Sequence, residues 1–179
     1  MKYQDASITA TFNDQTETVD LEQVGSEDGM WDYLITVFVP DSEDNGNSRD
    51  EVQAGTTFTD PAGFAVHLFD KSKNGDTLWN PSDSFDELLE AWSDESDDDR
   101  REAMGEYLDD MGADDLSDFD EAYRGQYADG AAFAEELAEQ IGAVPHENTW
   151  ICIDWDATWE RNLRHDYHIT DSGHVFRNL

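Results

Sequence analysis

The stretch SFDELLEAWSDESDDDRREAMGEYLDDMG occupies positions 84–112. Its acidity suggests a disordered tail, but its apolar residues are periodic. Phe85, Leu88, Leu89 and Trp92 fall at i, i+3, i+4 and i+7, one face of an α-helix. Ser84 and Glu87 form the S-x-x-E pattern of a capping box. A second helix fits 97–111, with Met104, Tyr107, Leu108 and Met111 on one side and Gly112 as its C′ stop. Between the two lies SDESDDDR (93–100), with five carboxylates. The run is thus the turn and first-turn cap of the second helix, where acids suit the positive helix end.

Working towards the C-terminus, a third helix fits 114–123, with Leu116, Phe119 and Tyr123 inward. A fourth fits 130–141, capped by Asp129, striped by Phe133, Leu137 and Ile141, and ended by Gly142. TWICI (149–153) reads as a buried strand. DWDATWERNL (154–163) reads as a short helix capped by Asp154, with Trp155, Trp159 and Leu163 roughly on one face. DYHIT (166–170) and HVFRN (174–178) flank Asp171-Ser172-Gly173 as a hairpin.

Towards the N-terminus the pattern is β-like. ASITATF (6–12) alternates, YLITVFV (33–39) is β-branched and aromatic, and FAVHLF (64–69) is a third candidate strand. DSEDNGNSRDEVQAG (41–55) reads as a loop and KNGD (73–76) as a turn. The fold class expected is α+β, as a chain of small domains. Residues 1–80 form a β-rich N-terminal domain and 81–143 an acidic helical domain. Residues 144–179, with packing from 113–143, form an α+β C-terminal domain with a short sheet.

The charge is the most unusual property. The 179 residues carry 44 acids against 10 bases, a formal net charge of −34. A small domain ordinarily carries about 2–8 charges of either sign. Such self-repulsion opposes compaction and argues against direct contact with nucleic acid or anionic membrane. It favours a basic partner or a high-salt setting. Six Trp and 12% aromatic residues supply a core that a disordered acidic chain lacks. Residues 83–139 hold 22 acids and 3 bases, whereas residues 140–179 hold 6 and 3. No stretch has the length of a signal peptide's apolar run or of a membrane span, so a cytoplasmic protein is expected.

Reaction chemistry finds no foothold. The loop from Asp41 has Asn45 and Gly46 in calcium-loop positions, but Val52 stands where a bidentate Glu is needed. The loop from Asp70 ends on Pro81 at the same position. His165, His168 and His174 lack the thiols or helical spacing of a zinc site and read as surface or hairpin-packing residues. Cys152, the single cysteine, sits in an apolar run and reads as buried and structural. No nucleophile elbow or phosphate-binding glycine loop occurs. The expectation is a protein that is not an enzyme, with no catalytic residues, no metal and no cofactor.

The acids themselves form the candidate site. Residues four apart on a helix are about 6 Å apart along the axis, comparable to the straight-line separation of successive phosphates on a DNA strand. Asp83, Asp86, Glu87, Glu90 and Asp94 give one row. Glu95, Asp97, Asp98 and Asp99 follow in the opening run, and Asp98, Glu102, Glu106, Asp109 and Asp110 give a second row. Asp114, Asp115, Asp118 and Glu121 continue it, then Glu135, Glu136 and Glu139. An ordinary helix surface mixes signs for i, i+4 support, but only Arg100, Arg101 and Arg124 are basic between 83 and 139. A competing explanation is salt adaptation. The chain has 28 Asp against 16 Glu and only three Lys, a bias typical of high-salt cytoplasm.

From about Ser84 onward, a little over half the chain, the sequence resembles the ArdA antirestriction family. The resemblance is carried by RREAMGEYLDDMG (100–112), DDLSDFDEAYRGQYADGAAFAEELAEQIGA (114–143), CIDWDATWERNL (152–163), DYHIT (166–170) and GHVFRN (173–178). EAYRGQY followed by FAEELAE is its most specific part. Residues 1–60 do not show the family's usual opening. The resemblance implies a protein of mobile elements or phages, built as an elongated homodimer joined through its C-terminal domain. It implies a DNA mimic whose surface carboxylates occupy the DNA-binding groove of type I restriction-modification enzymes. Two alternatives stand beside it: a salt-adapted acidic interaction domain, and mimicry towards another DNA-binding target such as a CRISPR effector or repressor.

Overall fold

A computed structural model of the chain describes residues 3–40, 45–71, 79–144 and 152–179, with 45–48 described by backbone alone. It is a mixed α+β structure that divides into two compact units. Unit 1 comprises residues 1–108 with 114–116. Unit 2 comprises 109–113 with 117–179.

Unit 1 opens with β1 (Ala6–Phe12), whose alternation buries Ala6, Ile8, Ala10 and Phe12. Asn13 and Asp14, both at positive φ, turn the chain into β2 (Gln15–Asp20), as a two-residue hairpin loop requires. Asp20 caps the short α1 (Leu21–Val24), accepting the N–H groups of Glu22 and Gln23. Ser26 caps α2 (Glu27–Phe38) through the Gly29 N–H at 2.9 Å. Next come α3 (Asn45–Gly55), β3 (Thr57–Gly63), α4 (Ala65–Leu68), β4 (Phe69–Lys71) and β5 (Trp79–Pro81). The unit closes with α5 (Phe85–Asp94) and α6 (Asp98–Asp110), the last two residues of α6 grouping with unit 2. The five strands form an antiparallel sheet in the order β2-β1-β3-β5-β4.

Four N-terminal expectations are corrected. YLITVFV is not a strand: residues 33–38 are the second half of α2, and Val39 is its C-cap. Its β-branched residues sit in a helix because Met30, Trp31, Leu34 and Phe38 bury one helical face and Ser26 starts it. FAVHLF is mostly the turn α4, with only Phe69 entering a strand. Residues 45–55 are helical rather than loop, and α3 packs on α2 with Val52 fully buried. Ser84 precedes α5 but makes no side-chain cap. Residues 41–44 and the turn at 73–76 lie outside the described residues, and with them much of both calcium-like loops.

The helix of the opening stretch does form, and its partners are the sheet's aromatic residues. Phe85 meets Phe69 edge-on at 5.3 Å. Leu88, Leu89 and Trp92 are buried beside it. The expected domain boundary at residue 80 therefore falls inside a single compact unit, because α5 and α6 through Leu108 group with the N-terminal sheet. Tyr3 packs so closely on Gly105 of α6 that an added Cβ would lie 2.3 Å from its ring.

Unit 2 contains α7 (Phe119–Ala122), β6 (Tyr123–Gln126), α8 (Gly130–Gln140), α9 (Trp155–Thr158) continuing as a π-turn (Trp159–Leu163), β7 (Tyr167–Ile169) and β8 (His174–Arg177). The sheet order is β6-β8-β7, all antiparallel. Phe133 of α8 is its hub, meeting Tyr127, Trp159 and Tyr167 edge-on at 4.9–6.1 Å. Asp129 and Asp154 cap α8 and α9 as their sequence positions suggest. The hairpin at 171–173 also forms: Gly173 has φ +89°, and an added Cβ would strike the Tyr127 carbonyl at 2.2 Å.

The third helix is shorter than expected. Only Phe119–Ala122 is helical, and Tyr123 leaves as a strand paired with Phe176. Of TWICI, 149–151 lie outside the described residues. Cys152 and Ile153 have no regular structure, and Cys152 is exposed rather than buried. His174 is fully buried in the hairpin, with Nδ1 3.2 Å from the Tyr123 hydroxyl.

Candidate acidic interaction surface

Helix α5 presents two chemically opposed faces. Its buried stripe points Glu87, Glu90 and Asp94 outward, and all three are exposed. None has a hydrogen-bond or ion-pair partner among the described residues. Asp86 is also exposed, but its carboxylate accepts the Glu27 N–H at 2.6 Å, where α2 begins. It is therefore partly a structural group. With Asp86, α5 carries four acids over about 12 Å of axis, roughly one per 3–4 Å. One strand of duplex DNA carries a charge about every 3.4 Å.

The run SDESDDDR is ordered by its own bonds. Glu95 is half-buried, and its two oxygens are occupied. Oε1 accepts the Asp97 N–H at 2.9 Å and Oε2 accepts Arg100 Nε at 2.7 Å. The Asp97 N–H foremost, and then Arg100, hold the Glu95 carboxyl below the usual range. Asp97 caps α6, its Oδ1 accepting the Asp99 N–H at 3.0 Å. Glu95 and Asp97 are thus framework. Asp94, Asp98 and Asp99 are the acids of this run left to solvent.

Arg101 closes the loop from the other side. Its guanidinium lies 4.4 Å from the centre of the Trp92 ring. Nε donates to the Glu95 carbonyl at 2.6 Å. Nη2 donates to the Ser93 carbonyl at 3.2 Å and to Glu22 Oε1 at 3.1 Å. Sequence reading missed this clip. The available signal was the pair Arg100-Arg101 in the first turn of a helix, where cations oppose the helix dipole and so imply specific partners.

The remaining acids separate. On α6, Glu102 and Glu106 are half-buried, so the row from Asp98 is not evenly presented. Asp114 and Asp115 are exposed in unit 1. Asp109, Asp110, Asp118, Glu121, Glu135, Glu136 and Glu139 are exposed in unit 2. The acids read as one succession are therefore divided between two compact units. Asp110 lies 3.8 Å from His168, and Glu136 accepts Gln140 Nε2 at 2.9 Å.

Two further acids are not singled out by sequence pattern, because the β-branched run at 33–39 predicts a strand where α2 continues. Asp28 and Asp32 project from α2, and Arg49 bridges both, reaching Asp32 at 3.1 Å. This pair is compensated where the α5 stripe is not. Among the described residues no group of three or more His, Cys, Asp or Glu is arranged to hold a metal ion. No described helix is long and apolar enough to cross a membrane.

Comparison with family models, curated proteins and solved structures gave no match.

Proposed function

We propose that this chain is a DNA-mimic antirestriction protein that occupies the DNA-binding groove of a type I restriction-modification enzyme. The observation that carries the proposal is the stripe Glu87, Glu90 and Asp94, exposed and without partners among the described residues, on a helix anchored by an aromatic core. Packing of the opposite face holds the carboxylates at helical spacing, so the charge is prearranged rather than ordered on binding. Preorganised charge of one sign steers a basic partner and suits a groove built for phosphates. The resemblance of residues 84–179 to the ArdA family points the same way. It also supplies the remainder of the proposal, a homodimer joined through the C-terminal region.

The test is displacement of DNA from a type I enzyme at moderate salt. Displacement at near-stoichiometric protein, weakening as salt rises, is expected. No displacement at any ratio sinks the reading.

A second reading has its own observation, the excess of 28 Asp over 16 Glu with three Lys. On that reading the acids hold water and salt around a protein of a high-salt cytoplasm. Circular dichroism against KCl separates the two. A chain that is folded only near molar salt is salt-adapted, whereas one folded in dilute buffer favours mimicry.

A further inference from the structure

We infer that Arg101 is a positioning residue for the acidic surface: a cation whose role is to aim the anions around it. The inference rests on the mimicry reading above. Arg101 keeps only 14% of its side chain exposed. It joins the buried Trp92 ring, the carbonyls of Ser93 and Glu95, and the Glu22 carboxylate. Those carbonyls flank Asp94. Glu95 in turn holds the N–H of Asp97, and Asp97 holds that of Asp99. One guanidinium therefore fixes the backbone from the end of α5 to the first turn of α6, the segment that carries Asp94, Asp98 and Asp99. Each of these contacts takes a different direction in the guanidinium plane or its π-face, which a single ammonium cannot reproduce.

This role makes a prediction of unusual sign. Arg101→Gln makes the chain one unit more negative than −34. If total charge governed binding, the variant would bind a basic groove as well or better. If placement governs, it binds worse, since three carboxylates must then be ordered when the partner arrives. That ordering corresponds to about a tenfold rise in the concentration needed for half-displacement of DNA.

The experiment compares wild type, Arg101→Gln, Arg101→Lys and the charge-matched Arg161→Gln from unit 2. All are assayed for displacement of DNA from a type I enzyme at one ionic strength, at a temperature where circular dichroism shows each folded. In parallel, amide hydrogen exchange is followed at Asp97 and Asp99 in the free proteins.

The expected result is weaker displacement by both Arg101 variants, displacement by Arg161→Gln unchanged or improved, and faster exchange at the two amides. Arg101→Lys also covers the case in which Arg101→Gln does not fold. Equal or better displacement by folded Arg101 variants overturns the inference. So does unchanged exchange at Asp97 and Asp99. If wild type displaces no DNA, the mimicry reading fails and the binding role of Arg101 fails with it. The exchange measurement then still decides whether Arg101 orders the loop.

Discussion

The Trp92 ring lies parallel to that of Phe64, 10° from coplanar with centroids 5.3 Å apart. This stack joins the acidic helix α5 to the core of the sheet, and the Arg101 guanidinium lies 4.4 Å from the centre of the same indole. The indole N–H finds no hydrogen-bond acceptor among the described residues. Trp92→Ala should cost about 3–5 kcal/mol, the range for deleting a large buried aromatic. Trp92→Phe keeps a ring on Phe64 and removes the orphan donor, so it should cost much less. Urea titrations followed by far-ultraviolet circular dichroism give both values. Equal costs would show that the ring stack on Phe64 is not what anchors α5.

Binding and stability should respond in opposite directions on the outer face of α5. Glu87 and Glu90 are three residues apart, and Glu90 and Asp94 four, so each pair repels. Such pairs cost about 0.2–0.5 kcal/mol each. Converting all three to Gln, Gln and Asn should raise thermal stability slightly and weaken DNA displacement. Each single change should have little effect on displacement. A triple variant that displaces DNA like wild type would remove this stripe from the interface.

Glu95 should be visible in the acid range. Its folded carboxyl titrates below its ordinary value because the Asp97 N–H and Arg100 hold the anion. A depressed folded value adds stability above the unfolded value and loses it as pH falls through the folded one. The stability difference between wild type and Glu95→Gln should therefore be full at neutral pH and shrink below roughly pH 4–5. The comparison must be a difference, because protonating the other acids relieves repulsion over the same range. A gap that does not change with pH would mean that Glu95 acts only as a neutral acceptor.

In unit 2, Gly130 of α8 packs directly against the Trp159 ring. A Cβ at Gly130 would lie 2.3 Å from the indole Cδ2. Gly130→Ala should destabilise the unit by about 1–3 kcal/mol through overpacking, despite alanine's higher helix propensity. A melt showing stabilisation would mean that Trp159 moves aside freely.

The sequence by itself determined the parts whose signals are local. The i, i+3, i+4, i+7 stripe of α5, the caps Asp129 and Asp154, the strand ASITATF and the hairpin at 171–173 all stand where residue spacing puts them. It also determined that acids lie opposite the buried stripes, since a helix that buries one face must expose the other. Tertiary structure alone decided the rest. Residues 33–38 are helical because the face of Leu34 and Phe38 is buried, which outweighs the β preference of Ile35, Thr36 and Val37. Tyr123 is a strand because Phe176, 53 positions later, pairs with it. Above all, sequence counts carboxylates without distinguishing framework from surface. Asp86, Glu95 and Asp97 became framework only when Glu27, Arg100 and the first turn of α6 came within hydrogen-bonding distance. Glu87, Glu90 and Asp94 stayed with solvent, with no cation among the described residues folded against them.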